Sequence, residues 1–161
     1  YIKIEKSVSS FEPVKQESHF KIFPKKLSSG MIDINIADTN ALILLPGIGS
    51  KLSNRIIHFR DKLGGFYNIE QVAETFGLPD SVFQKIRPYL KMENKRPRLI
   101  HINTASEEEL KQHPYIRFNL AKLMVQYRNQ HGQFFNISDI KKIMTVTDEI
   151  YNKLSPYLTV E

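Results

Sequence analysis

The stretch Leu45-Pro46-Gly47-Ile48-Gly49-Ser50-Lys51 joins two amphipathic patterns across a tight turn. Upstream, Thr39–Leu45 reads as a short helix that Pro46 stops. Downstream, Leu52, Ile56 and Phe59 recur at helical spacing, while Lys51, Asn54, Arg55 and His58 fall on other faces. Two glycines within three positions allow backbone angles and a closeness of approach that a side chain would block. The turn also opens a helix, and the first amides of a helix have no partner inside it. Those N–H groups, with the helix dipole, suit an anion such as a backbone phosphate. Lys51 and Arg55, four residues apart, would flank it, and apolar Ile48 would plug back into the core.

Working outward, the same pattern returns 68 residues later. Ile34–Leu90 aligns with Ile102–Leu158 without a gap, and 17 of 57 positions are identical. The identities include Asn35/Asn103, Pro46/Pro114, Ile48/Ile116, Arg60/Arg128, Gly64/Gly132 and Phe66/Phe134. A gap-free match of this length marks two copies of one module. The implied organisation is an extended segment over residues 1–30, a first repeat over 31–92, a basic linker over 93–100 and a second repeat over 101–161.

Each copy reads as four short helices: Thr39–Leu45, Ser50–Lys62, Ile69–Phe76 and Ser81–Arg87, with equivalents 68 residues on. Ser106 with Glu109 forms a capping-box start, and Asn68 with Gln71 and Asn136 with Asp139 open the third helices. Asp80 and Asp148 are expected to cap the last helices, and Gly64 or Gly65 to close the second. Nothing alternates as a strand within the repeats, so the expected fold is all-α. Tyr1–Lys6 and His19–Phe23 do alternate, and an extended tail is favoured there.

The chain has 161 residues, net charge +6 and no cysteine, which removes disulfides, thiolate catalysis and cysteine zinc sites. No run of 18 apolar residues is present, so no membrane contact is expected within the sequence. Because the chain opens on Tyr1, a targeting or anchoring segment upstream is left open. The excess charge is net +3 over residues 1–30 and +2 over 93–100, against +1 and 0 in the two repeats. Yet Thr39–Arg60 carries Lys51, Arg55 and Arg60 and no acid, and Leu110–Ser138 carries Lys111, Arg117, Lys122 and Arg128 and no acid. The five histidines, at 19, 58, 101, 113 and 131, are scattered without ligand spacing. No catalytic residue, metal or cofactor is therefore assigned, and the chain is read as a binder and not an enzyme.

The Gly-Ile-Gly segment resembles a helix-hairpin-helix motif. The whole unit, from Asp33-Ile34-Asn35-Ile36-Ala37 through the hairpin to Arg60 and Gly64-Gly65-Phe66, resembles the DNA-binding domain of the ComEA competence proteins. The second copy repeats the opening as Ile102-Asn103-Thr104-Ala105. The resemblance implies two tandem modules, binding of double-stranded DNA without sequence preference through phosphates, and an exported or membrane-anchored protein. The contact residues it implies are Gly47, Ile48, Gly49, Ser50, Lys51 and Arg55. The second copy departs: Tyr115 and Arg117 replace the two glycines, so Tyr115, Arg117, Phe118 and Lys122 are a secondary contact for DNA or a protein partner. The second hairpins also depart, since Phe76-Gly77-Leu78-Pro79-Asp80 keeps one glycine and Met144-Thr145-Val146-Thr147-Asp148 none. A protein-interaction module of an envelope or secretion assembly is the alternative reading.

Overall fold

A computed structural model describes residues 29–93 and 96–161. The alternating stretches Tyr1–Lys6 and His19–Phe23 lie outside the described residues. The first module runs β1 (Ile32–Asp33), α1 (Thr39–Ile43), α2 (Ser50–Leu63), a 3-10 helix at Ile69–Glu74, α3 (Asp80–Ile86), a 3-10 turn at Arg87–Tyr89 and β2 (Leu90–Lys91). The second repeats the order: β3 (Ile100–His101), α4 (Glu107–Leu110), α5 (Phe118–His131), a 3-10 helix at Ile137–Lys142, α6 (Asp148–Leu154), a 3-10 turn at Ser155–Tyr157 and β4 (Leu158–Thr159). The fold is helical, as expected, and consists of two tandem modules.

Capping explains where the elements begin. The Asp38 side chain accepts from the Ala41 N–H at 2.8 Å, and capping boxes open the helices after Asn68, Ser106 and Asn136. Gly64 ends α2 at φ +84°, a conformation that costs glycine little. Three expectations are corrected. The third helix of each module is 3-10 rather than α. Asp80 and Asp148 are first helical residues, the caps being Pro79 and Thr147, and the Thr147 hydroxyl accepts from the Ile150 N–H at 3.3 Å. Short strands also occur: β1 pairs in parallel with β2, and β3 with β4. The two ends of each module lie side by side, and their backbone groups satisfy one another there.

Two cores result. Ile34, Leu42, Ile56, Phe66, Val72 and Ile86 are fully or nearly fully buried in the first, and Ile102, Leu110, Ile116, Met124, Ile140 and Leu154 in the second. The positions identical between the copies hold the scaffold. Asn35 accepts from the Phe66 N–H and donates to its carbonyl, both at 2.8 Å, and Asn103 does the same with Phe134. Arg60 Nη1 donates to the Ile34 and Ala37 carbonyls at 3.2 and 2.7 Å. Arg128 does so to Ile102 and Ala105 at 3.0 and 2.7 Å. Counting Arg60 and Arg128 with the phosphate-facing charge is thus corrected: both are half-buried clamps on the opening turn.

The modules also share a seam. Tyr157 belongs to the second repeat but is buried in the first core. Its hydroxyl donates to the Gly65 carbonyl at 2.9 Å and accepts from Gln71 Nε2 at 2.7 Å, while Gln71 Nε2 also reaches the Tyr115 hydroxyl at 3.0 Å. Lys153 pairs with Glu74 at 3.6 Å across the same seam.

His113 sits within it, 4% exposed, its ring centroid 4.7 Å from that of Tyr157. Burial pulls its pKa down to about 4; the Leu63 carbonyl opposes this and Arg98 adds to it. Between its ordinary value of 6.5 and about 4, the unfolded chain binds a proton that the folded chain refuses. Stability is therefore full above pH 6.5 and falls as pH drops towards 4, by about 3 kcal/mol from this group. Urea midpoints measured from pH 7.5 to 4 should fall less steeply in His113→Gln than in the parent. Equal slopes would show that His113 titrates normally in the fold.

Candidate nucleic-acid interface

Four turns of the molecule share one construction. The N–H of Ile48 bonds the Leu45 carbonyl at 3.1 Å, Leu78 bonds Thr75 at 3.1 Å, Ile116 bonds His113 at 2.9 Å and Val146 bonds Ile143 at 2.9 Å. In each, the donor residue is apolar and buried: Ile48, Leu78, Ile116 and Val146. Each turn then passes through one extended residue, Gly49, Pro79, Arg117 or Thr147, into a helix. Every module therefore holds two helix-hairpin-helix elements, including those whose glycines are lost.

Charge separates the four. The helices after the second turns, α3 and α6, lead with Asp80 and with Asp148 and Glu149. Carboxylates there occupy the positive end of the helix and would repel a phosphate. The long helices α2 and α5, each 14 residues, have no acid in the first turn and no side-chain cap. Their leading amides point away from the helix body with nothing from a side chain to satisfy them.

At the first turn the structure brings Gly47, Gly49, Ser50 and Lys51 to the surface, and Ile48 turns inward as the plug. The two glycines have different reasons. Gly47 stands at φ +82°, and a Cβ there would meet Val82 Cγ1 at 3.2 Å. Gly49 is extended, at φ −101° and ψ −179°, and a Cβ on it would meet nothing within 4 Å. Of the two freedoms expected at both glycines, the special backbone angle is used at Gly47 and not at Gly49. At Gly49 the missing side chain leaves the approach to the α2 amides open. Arg55 lies one turn along α2, its guanidinium over the Phe76 ring at 5.2 Å and donating to the Phe76 carbonyl at 3.4 Å. It therefore tethers the first turn to the second.

The corresponding turn of the second module differs in its side chains. Tyr115, expected on an exposed turn, is half-buried in the seam, and burial pushes its phenol up. It occupies the Gly47 position without a positive φ. Arg117, Phe118 and Lys122 are exposed, and Arg117 and Lys122 form no ion pair among the described residues. Phe118 lies under the Lys111 ammonium at 5.7 Å. Sequence reasoning passed over Phe76, 83% exposed at the tip of a degenerate turn; a large apolar side chain beside Gly77 was the available signal. Among the described residues, no group of three or more His, Asp or Glu side chains is placed to hold a metal ion.

A family model described as the helix-hairpin-helix motif matches the chain twice, over residues 28–91 and 97–159. The chain is similar to the endonuclease/exonuclease/phosphatase family domain-containing protein 1 of Danio rerio, 25% identical over 148 residues, covering 81% of this chain and 27% of that protein. The Homo sapiens protein of the same name is 21% identical over 142 residues, covering 70% and 25%. The chain thus spans about a quarter of the length of these relatives. It is also similar to the ComE operon protein 1 of Bacillus subtilis (strain 168), 32% identical over 63 residues, covering 39% of this chain and 31% of that protein.

Proposed function

Because this chain belongs to the helix-hairpin-helix motif family, we propose that it binds double-stranded DNA through backbone phosphates, without reading sequence. The observation that carries the reading is the first turn, where an open approach at Gly49 leads to the uncapped amides of α2, with exposed Lys51 in the first turn of that helix. A phosphate entering there meets N–H donors and the positive helix end together. Lys51 and Arg55 add charge on either side, and neither contact carries base information. The second module contributes charge through Arg117 and Lys122, with Arg117 standing where Gly49 stands in the first.

Binding is the whole of the proposed activity, with no catalysis by this chain. The likeness to the ComE operon protein supports a ComEA-type role at an exported or membrane-anchored site. No helix among the described residues is long and apolar enough to cross a membrane.

The test is a salt titration. With one open hairpin per chain, about two to four phosphates are neutralised. The slope of log affinity against log salt is then expected at roughly −2 to −4, with Kd about 10⁻⁴–10⁻⁶ M at physiological salt. Duplexes of unrelated sequence should give the same values. Nanomolar affinity for one sequence, or a slope near zero, would refute phosphate binding as the mechanism.

A further inference from the structure

Between the modules runs an open groove of about 1130 Å³, floored by one face of α2 and walled by the turn into α5. Arg55, His58 and Lys62 line it from the first module, and Lys111 and Arg117 from the second. Its one acid among the described lining residues, Glu74, is paired with Lys153. Two large rings stand exposed at its walls, Phe76 (83%) and Phe118 (59%). Each has a cation over it, Arg55 and Lys111 respectively.

We propose that this groove holds a single strand of DNA, continuing from a duplex end seated on the first hairpin. The combination argues against a protein or small-molecule occupant. A cationic trough tracks a phosphodiester chain, and exposed rings offer stacking faces to unpaired bases, which a duplex keeps stacked inside itself. Guanidinium and ammonium groups over the rings add to the attraction at the same points. The two sites are continuous, because Arg55 belongs to both and α2 runs from the hairpin along the groove floor. From Asn54 to Lys62 the floor extends about 12 Å, room for a short run of nucleotides. The proposal rests on duplex binding at the hairpin for its source of the strand, and its chemistry is separate from that site.

The experiment measures anisotropy of the full chain with five labelled probes at low salt: a blunt duplex, the same duplex with a six-nucleotide 5′ overhang, the same duplex with a 3′ overhang, the single strand alone, and RNA of the same sequence. One overhang should bind about tenfold more tightly than the blunt end. In Phe76→Ala/Phe118→Ala the ratio of overhang to blunt affinity should fall to about one. Lys62→Glu should reduce that ratio while blunt-duplex affinity stays unchanged. All three side chains are exposed, and matching circular dichroism melts will show that the folds are intact. Gly49→Glu should lose the blunt duplex and keep the single strand. Equal affinity for blunt and overhanging duplexes would overturn the proposal, as would an overhang gain that survives both groove variants. RNA binding as tightly as the DNA strand, or polyglutamate displacing the strand at equal charge, would overturn the assignment to single-stranded DNA. Should the parent bind the single strand through Phe76 and Phe118 but ignore the blunt duplex, the groove stands and the hairpin reading falls.

Discussion

Gly49→Glu is expected to abolish duplex-DNA binding while leaving the fold intact. The residue is extended, with φ −101°, and a Cβ built on it meets nothing within 4 Å, so a larger side chain fits without rearrangement. Glutamate there would also sit comfortably at a helix N-terminus. For the ligand the same change is severe. The carboxylate occupies the space a phosphate must enter, competes for the α2 amides and repels the incoming charge. The expected loss is about a hundredfold, or about 3 kcal/mol. Gly49→Ala should bind with only a small loss, separating bulk from charge. Lys51→Glu should weaken binding to all duplexes equally. Gly47 is unsuitable for this comparison, because its φ of +82° and its contact with Val82 confound binding with folding. The matching changes in the second module, Arg117→Glu and Asn119→Glu, should matter less. Titration against one random-sequence duplex ranks the set. If the second-module variants lose binding while Gly49→Glu retains it, the Tyr115 turn is the DNA contact.

The largest effect on stability is expected from Tyr157→Ala. Tyr157 lies in the second repeat's sequence yet is fully buried in the first module's core. Its ring packs edge-on to Tyr67 at 5.9 Å and close to His113 at 4.7 Å. Truncation opens a cavity shared by both modules, removes the donor to the Gly65 carbonyl and leaves Gln71 Nε2 with the Tyr115 hydroxyl as its remaining acceptor. The cost should be about 3–5 kcal/mol. Burial pushes the Tyr157 hydroxyl up to about 12, so it stays protonated and donating across the accessible pH range. Tyr157→Phe keeps the ring and isolates the hydroxyl, and should cost about 1–3 kcal/mol. Urea unfolding of Tyr157→Ala should separate into two transitions, where a single one is expected of the parent. A single transition at an unchanged midpoint would show that the seam contributes nothing to stability.

The fold was legible because its signals are local. Capping pairs three residues apart, prolines and glycines at helix ends and a 57-residue self-match are all read from the sequence itself. What escaped notice depends on contacts distant in the chain. β1 and β2 are two residues each and pair across 58 positions, too short to alternate. Tyr89 and Tyr157 are identical in the self-match, but Tyr89 is only half-buried while Tyr157 crosses into the other core. A repeat comparison treats them alike; only the packing of one module on the other distinguishes them. The same limit affected the site. Arg60 and Lys51 are both basic in the acid-free stretch, and their roles differ because Arg60 finds two carbonyls 23 and 26 residues away. The Gly-Ile-Gly turn was readable as a turn, whereas the reason for Gly49 required its backbone angles.

The parallel pairing of β1 with β2 has a mechanical consequence. The chain enters each module at the start of one strand and leaves from the end of its neighbour, and the two strands point the same way. A pull on the two chain ends of a module acts lengthwise along the clasp, in shear. The hydrogen bonds of the pair then carry the load together and must yield together, instead of unzipping in turn. Each module is thereby latched at the point where tension enters it, and its hairpin stays out of the line of force.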